Sequence, residues 1–185
     1  MNAVNLLNDD GTASAATAIL LSHRGFRRDA ARFTQAAAAL RAGDAERTVQ
    51  LQEAWAALDA KLHGHHHAED ERIHPALRPD PAFGAVLDQC VEDHQRLSRR
   101  MSEMTRSVAR LPGDAGVRML RNATQGLTDV LLPHLQLEDD KMIPLLRGGA
   151  MTREDAAQIP REEYPLIIDG IAWCSEGVEP EIGLS

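Results

Sequence analysis

The chain has 185 residues, which is enough for one domain with a substantial apolar core. Aromatic residues make up only 3% of it, so the core must be built from aliphatic side chains and methionine. The net charge of −8 argues against a nucleic-acid partner, because no basic surface is large enough to bind phosphates.

Four helices are predicted from alanine-rich runs, from apolar residues spaced three and four apart, and from the turns between them. Their approximate limits are 14–41, 45–74, 82–110 and 115–143. Helices of this length with short connections predict an all-α fold, an up-down-up-down four-helix bundle.

The predicted domain organisation has three parts. Residues 1–13 form a lead-in, residues 14–147 form the bundle, and residues 148–185 form a C-terminal tail. The tail is too apolar for a disordered segment, so we expect it to pack on the bundle or on a partner subunit, with a homodimer as one outcome.

The two cysteines, Cys90 and Cys174, form no CxxC motif. No basic segment followed by an apolar run opens the sequence, and no stretch is apolar for the length of a membrane span. These features predict a reduced, cytoplasmic protein without a membrane partner.

Residues 65–77 and 134–146 are two copies of one pattern. Each copy begins with His, carries a Glu four residues later, and has a proline six residues past that Glu. On an α-helix, residues four apart lie within about 40° of each other, so the imidazole and the carboxylate point the same way. Two such helices facing each other predict a two-metal site inside the bundle.

His23 and His94 lie on the inward faces of the first and third helices, at a height similar to that of the two His-x-x-x-Glu pairs. The six predicted metal ligands are therefore His23, His65, Glu69, His94, His134 and Glu138. Nitrogen and oxygen donors without thiolate suit iron, zinc, manganese or copper. Six donors are too many for one tetrahedral ion and too few to saturate two octahedral ions, which favours a dinuclear site with a bridging oxygen.

The remaining histidines of this region are His63, His66, His67 and His74. Their offsets from His65 predict positions beside the inward stripe, in solvent or next to the ligands, with His66 as the one candidate for an added ligand or proton donor. Cys90 is expected to face inward as a small apolar side chain, with a redox or ligand role left open.

The acidic residues that follow each Glu, among them Asp70 and Asp139, predict a solvated acidic face. Some of these carboxylates are expected to accept hydrogen bonds from the second nitrogens of ligand histidines, as the outer partners of metal sites do.

With single histidines on helices 1 and 3 and His-x-x-x-Glu followed by proline on helices 2 and 4, residues 14–147 resemble the bacterial hemerythrin-like (HHE cation-binding) domain. The resemblance implies a non-heme diiron centre with a bridging oxo or hydroxo group. It also implies roles in oxygen binding, in oxygen or iron sensing, or in peroxide and nitric oxide handling.

The chain departs from the oxygen-carrying hemerythrins on helix 3, where Ser98 and Cys90 stand one turn from His94 in place of a second His. The last carboxylate is Glu138, although Asp139 offers the spacing of those carriers. A missing imidazole would open a coordination position, which favours redox turnover over oxygen storage.

Three functions follow from this resemblance. The leading hypothesis is a protein that binds and turns over a small oxidant, dioxygen or hydrogen peroxide. The second is an oxygen, nitric oxide or iron sensor or carrier without turnover, and the third is a diiron oxygenase acting on an organic substrate. If the protein is an enzyme, it is a diiron oxidoreductase.

Overall fold

The computed structural model describes residues 15–147 together with Trp173 and Glu176. Four long helices dominate this part of the chain: α1 (Ala15–Ala39), α2 (Ala45–Ala68), α4 (Gly84–Val108) and α5 (Asp114–Lys141). Two short helices, α3 (His74–Leu77) and α6 (Ile143–Leu145), follow α2 and α5. No β-strand occurs within residues 15–147, so the predicted all-α four-helix bundle is confirmed.

The long helices pack in a ring, in which α1 and α4 each contact both α2 and α5. The backbone N–H of Gly43 donates to Pro112 O at 2.9 Å, which joins the α1–α2 and α4–α5 connections at one end of the bundle. Gly43 has a φ of 83°, a left-handed conformation that favours glycine, and Asp44 then caps α2 by accepting from the Arg47 N–H. Neighbouring helices therefore run antiparallel.

The second helix continues past Ala68 as a π-helical segment, Glu69–Ile73, before α3 begins. A single α-helix to residue 74 was predicted, and it would place His74 about 180° from His65, at 100° per residue. A π-helical turn takes up one extra residue and turns all later side chains back by roughly 100°. His74 is consequently buried, with 3% exposure, next to His94 rather than in solvent, which is the second of the two positions expected for it.

Two apolar clusters fill the bundle, one toward each end. Near the Gly43 end the core includes Phe33, Leu40, Trp55 and Leu120. The other cluster gathers the start of α1, the end of the second helix, the start of α4 and the residues after α5, and includes Ile19, Leu77, Leu87 and Ile143. A layer of buried histidine and glutamate side chains lies between the two clusters.

Two glycines make a stability test of the fold. A Cβ at Gly116, the third residue of α5, would collide with the backbone carbonyl of Arg110, so we expect Gly116→Ala to lower the free energy of unfolding by roughly 1–3 kcal/mol. A Cβ at Gly64 in α2 would meet no atom within 4 Å. Gly64→Ala should therefore raise the free energy of unfolding by about 0.5–1 kcal/mol. Urea unfolding of both variants measures these two changes in the free energy of unfolding. An unchanged value for Gly116→Ala would contradict the close packing of this turn.

Candidate metal centre

The six predicted ligands converge on the polar layer between the two apolar clusters. His23, His134 and Glu138 have no exposed surface, Glu69 and His94 are almost fully buried, and the side chain of His65 is 12% exposed. Their donor atoms fall into two groups, each with all members within 4.8 Å of one another. One group is His23, His65, Glu69 and Glu138, and the other is His66, Glu69, His94 and His134.

His66, which the sequence offers as a candidate for an added ligand, joins the six predicted residues in this layer. It is buried, and its ring centroid lies 4.4 Å from that of His94 and 5.6 Å from that of His134. Counted from His65, Glu69 lies at about 40° around the helix and His66 at about 100°, so the carboxylate points between two neighbouring imidazoles. The signal in the sequence was a His-His pair three and four residues before a Glu.

The position of His66 also changes the expectation of an open coordination position. Ser98 occupies one of the positions on α4, the predicted third helix, where a second histidine is missing, and its side chain is exposed. The fifth imidazole of the layer comes instead from α2, in the same donor group as His94. The layer thus contains five imidazoles and two carboxylates.

Both carboxylates lie between the two donor groups. Glu69 places Oε1 3.2 Å from His65 Nε2 and Oε2 3.5 Å from His94 Nε2. Glu138 places a single oxygen, Oε2, 3.2 Å from His23 Nε2 and 3.4 Å from His134 Nε2. Each carboxylate therefore lies within 3.5 Å of imidazole nitrogens from two different helices.

Two acidic residues at the edge of the layer hold two of these histidines by their outer nitrogens. His23 Nδ1 is 2.7 Å from Asp139 Oδ1, and Asp139 is in turn paired with Arg27 at 2.7 Å. His94 Nδ1 is 2.8 Å from Asp70 Oδ1. A histidine that donates from Nδ1 presents Nε2 to the centre as a lone pair, so the predicted outer hydrogen bonds are confirmed.

Burial and mutual repulsion keep most of these imidazoles neutral. Burial lowers the pKa of His65 to about 3 and that of His134 to about 4, and it lowers the pKa of His66 well below its usual value. His23 is different, because Asp139 and Glu138 outweigh its burial and raise its pKa. Neutral imidazole is the form that binds metal ions.

The pKa values of the two glutamates shift in opposite directions. Burial and the neighbouring Glu138 carboxylate raise the pKa of Glu69 well above its ordinary value. Burial would also raise the pKa of Glu138, but the adjacent imidazole of His23 outweighs it and lowers the pKa. Repulsion between two carboxylates this close opposes the ionisation of both, and cations between them would relieve it.

The donor atoms of this layer fit a pair of metal ions. The Nε2 atoms of all five histidines and all four carboxylate oxygens are buried and make no aligned hydrogen bond within the described part of the chain. Buried polar atoms without partners are rare because each costs about 1–3 kcal/mol. Cations would satisfy nine such atoms at once.

Trp173 lies against this centre from outside. Its ring packs on Phe26 at a centroid distance of 5.0 Å, and Phe26 packs on His65 at 5.0 Å. The indole N–H donates to Asp29 at 2.6 Å, and a Cβ at Gly25 would lie 2.7 Å from the Trp173 ring. The rest of the tail, apart from Glu176, lies outside the described residues, so its packing stays a prediction.

The histidines at the edge of the motif separate into two kinds. His63 and His67 are exposed, as expected. His74 and Cys90 are buried, and together with Glu138 they place one donor atom each within 4.8 Å of one another. Burial raises the pKa of the Cys90 thiol, which is consistent with an inward apolar side chain.

Comparison with known proteins gives one match. The family model of the hemerythrin HHE cation binding domain matches residues 14–146. Searches of curated proteins and of solved structures returned no significant match. Among the described residues, no helix has both the length and the apolar character needed to cross a bilayer.

Proposed function

Because the chain belongs to the hemerythrin HHE cation-binding domain family and is therefore a metal-binding protein, we propose that it is a non-heme diiron protein of the bacterial type. The proposed cofactor is two iron ions with a bridging oxo or hydroxo group. The observation that carries this proposal is the division of the buried layer into two donor groups that share Glu69.

The proposed ligands of one ion are His23 and His65, and those of the other are His66, His94 and His134. Glu69, whose two oxygens face His65 and His94, and Glu138, whose Oε2 faces His23 and His134, would supply the carboxylate ligands. Two divalent ions carry a charge of +4, which two carboxylates reduce to +2, so a bridging oxide or hydroxide is favoured in this buried layer.

The surrounding residues determine what such a centre can do. When bound, the iron pair would supply the electrons and the Lewis acidity that small oxidants require. The apolar clusters above and below the layer keep bulk water away from it. Asp70 and Asp139 hold two imidazoles in fixed orientations, so the donor set needs little rearrangement between charge states.

We therefore infer that the protein binds dioxygen or hydrogen peroxide and turns it over. Two molecules of peroxide would give two of water and one of dioxygen, whereas reduction of dioxygen would take its electrons from an external reductant. Nine donor atoms and one bridging oxygen take at most eleven of the twelve positions on two octahedral ions, which leaves room for a small exogenous ligand. The proposed turnover would make the protein a diiron oxidoreductase.

The first test is the metal content and the spectrum of the purified protein. We expect about two iron ions per chain and an oxo-bridged diferric band in the ultraviolet-visible spectrum. The iron-loaded protein should then consume hydrogen peroxide, and the metal-free protein should not. At most one ion per chain after reconstitution would contradict the dinuclear centre, and a loaded protein that leaves peroxide unchanged would contradict turnover.

A sensor without turnover is the second candidate, and Trp173 is the observation that favours it. Arg28 donates to the backbone carbonyls of Trp173 and Glu176, each at 3.1 Å, and the Trp173 ring reaches the proposed ligand His65 through Phe26. A reversible spectral change on exposure to oxygen, with no loss of peroxide, would favour this candidate. Dimerisation through the tail stays a prediction for either function.

A further inference from the structure

A groove of about 580 Å³ opens on the outer side of the centre, between the end of the second helix and α4. Its lining includes Asp70, His74, Arg78, His94 and Ser98. Ser98 and Asp70 are exposed, whereas His74 and His94 are buried. The groove therefore leads from solvent to a ligand of the proposed centre.

His74 forms the inner wall of this groove without a clear structural partner. Its ring lies parallel to that of His94, at 5.6 Å and an interplanar angle of 16°. It is 97% buried by relative surface, and neither ring nitrogen makes an aligned hydrogen bond with the described residues, although Nδ1 is 3.4 Å from Asp70 Oδ1. The two ring nitrogens of this buried imidazole can therefore bind a further partner that the fold itself does not supply.

His74 belongs to two donor groups that lie one behind the other. On the groove side, Asp70, His74 and His94 place donor atoms within 4.8 Å of one another. On the inner side, His74, Cys90 and Glu138 do the same. Glu138 is also part of the proposed centre, so donors extend without a gap from an exposed carboxylate to the buried layer.

We propose that His74 is the core of a capture site, which takes ferrous iron from the groove with Asp70 and passes it inward to Glu138. The proposal rests on the proposed function, because it supplies that centre with its ions. Successive sites share a ligand, so an arriving ion exchanges its donors one at a time and is never left without ligands in the apolar interior. No bond other than metal–ligand bonds forms or breaks.

The charges along the groove favour a cation. Asp70, the one carboxylate among the described residues of the lining, is 40% exposed. The one described arginine that lines the groove, Arg78, donates to Asp88 at 2.9 Å, which balances its charge. An anion would have to pass the side chain of Asp70 before it reached His74.

The test is the rate at which metal-free protein takes up ferrous iron under anaerobic conditions, with unbound iron trapped by a chelator at each time point. We expect His74→Leu to reach the same final iron content as the wild type, about tenfold more slowly. Ser98→Trp keeps every donor but fills the groove, and it should slow uptake as well. The matched control is Ser102→Trp, one turn further along α4 and outside the groove, which should load like the wild type.

Equal uptake rates for His74→Leu and the wild type would overturn the proposal, and so would a lower final content, because His74 would then be part of the centre itself. If His74→Leu does not fold, Ser98→Trp decides, and a wild-type rate in that variant excludes the groove as the route. A wild-type protein that binds no iron would instead refute the proposed function.

Discussion

Glu69→Gln is expected to remove both metal ions from the protein. Glu69 is the residue that the two donor groups share, with one oxygen 3.2 Å from His65 Nε2 and the other 3.5 Å from His94 Nε2. The amide has no charge and offers only one oxygen, so it cannot bridge two cations. Since loss of an outer partner alone weakens metal affinity by roughly 10–100-fold, loss of the bridge should exceed about 100-fold. Iron per chain after dialysis measures the effect.

The same variant has a second readout that does not depend on activity. Free iron at a concentration 100 times the dissociation constant should raise the free energy of unfolding of the wild type by about 2.7 kcal/mol for each site. Thermal unfolding with and without iron should therefore show a large rise in melting temperature for the wild type and none for Glu69→Gln. The metal-free forms should unfold at similar temperatures, because a buried amide replaces a buried carboxyl group of the same shape.

Glu71→Gln is the matched control for this substitution. Glu71 is exposed two residues further along the same π-helical segment and belongs to no donor group. It should retain both ions and the wild-type response to iron. A Glu69→Gln protein that keeps two ions through dialysis would refute the bridging role.

His66→Leu is expected to halve the iron content, from about two ions per chain to about one. His66 occurs in one donor group only, with His94, His134 and Glu69, whereas the second group retains all four of its members. Metal analysis of the reconstituted protein, with binding titrations to resolve the remaining site, measures the difference.

The metal-free His66→Leu protein should be at least as stable as the wild type. The Nε2 of His66 is buried without an aligned hydrogen bond, and burial holds its pKa well below the usual value. Replacement of such a group by an apolar side chain of similar volume is often neutral or stabilising. Urea unfolding of the two metal-free proteins would show this.

The neighbouring residue supplies the control. His67→Leu changes an exposed histidine one position along the helix and should leave the iron content unchanged. Two retained ions in His66→Leu would mean that the centre uses only the six residues expected from the sequence, and equal losses in both variants would indicate a general effect on the helix.

His66 and His74 show where sequence reasoning ends. A stripe of residues four apart places His65 with Glu69 but gives no width for the site, so it leaves His66, at 100°, only as a candidate for an added ligand. The burial of His74 depends on the π-helical segment Glu69–Ile73, which changes the register, and no residue type in that segment signals the change. Such π-helical turns are frequent at functional sites.

The sequence by itself determined the four helices, their antiparallel order and the six residues that meet in the buried layer. It could do so because helix periodicity is local: spacings of three and four residues, turns with glycine and proline, and the duplicated His-x-x-x-Glu pattern all act within a few residues. Only the tertiary structure decided how the donors divide into two groups, that Glu69 lies between them, and that a groove reaches His74 and His94. These features depend on distances between side chains on different helices, and such distances are set by the packing of the whole bundle.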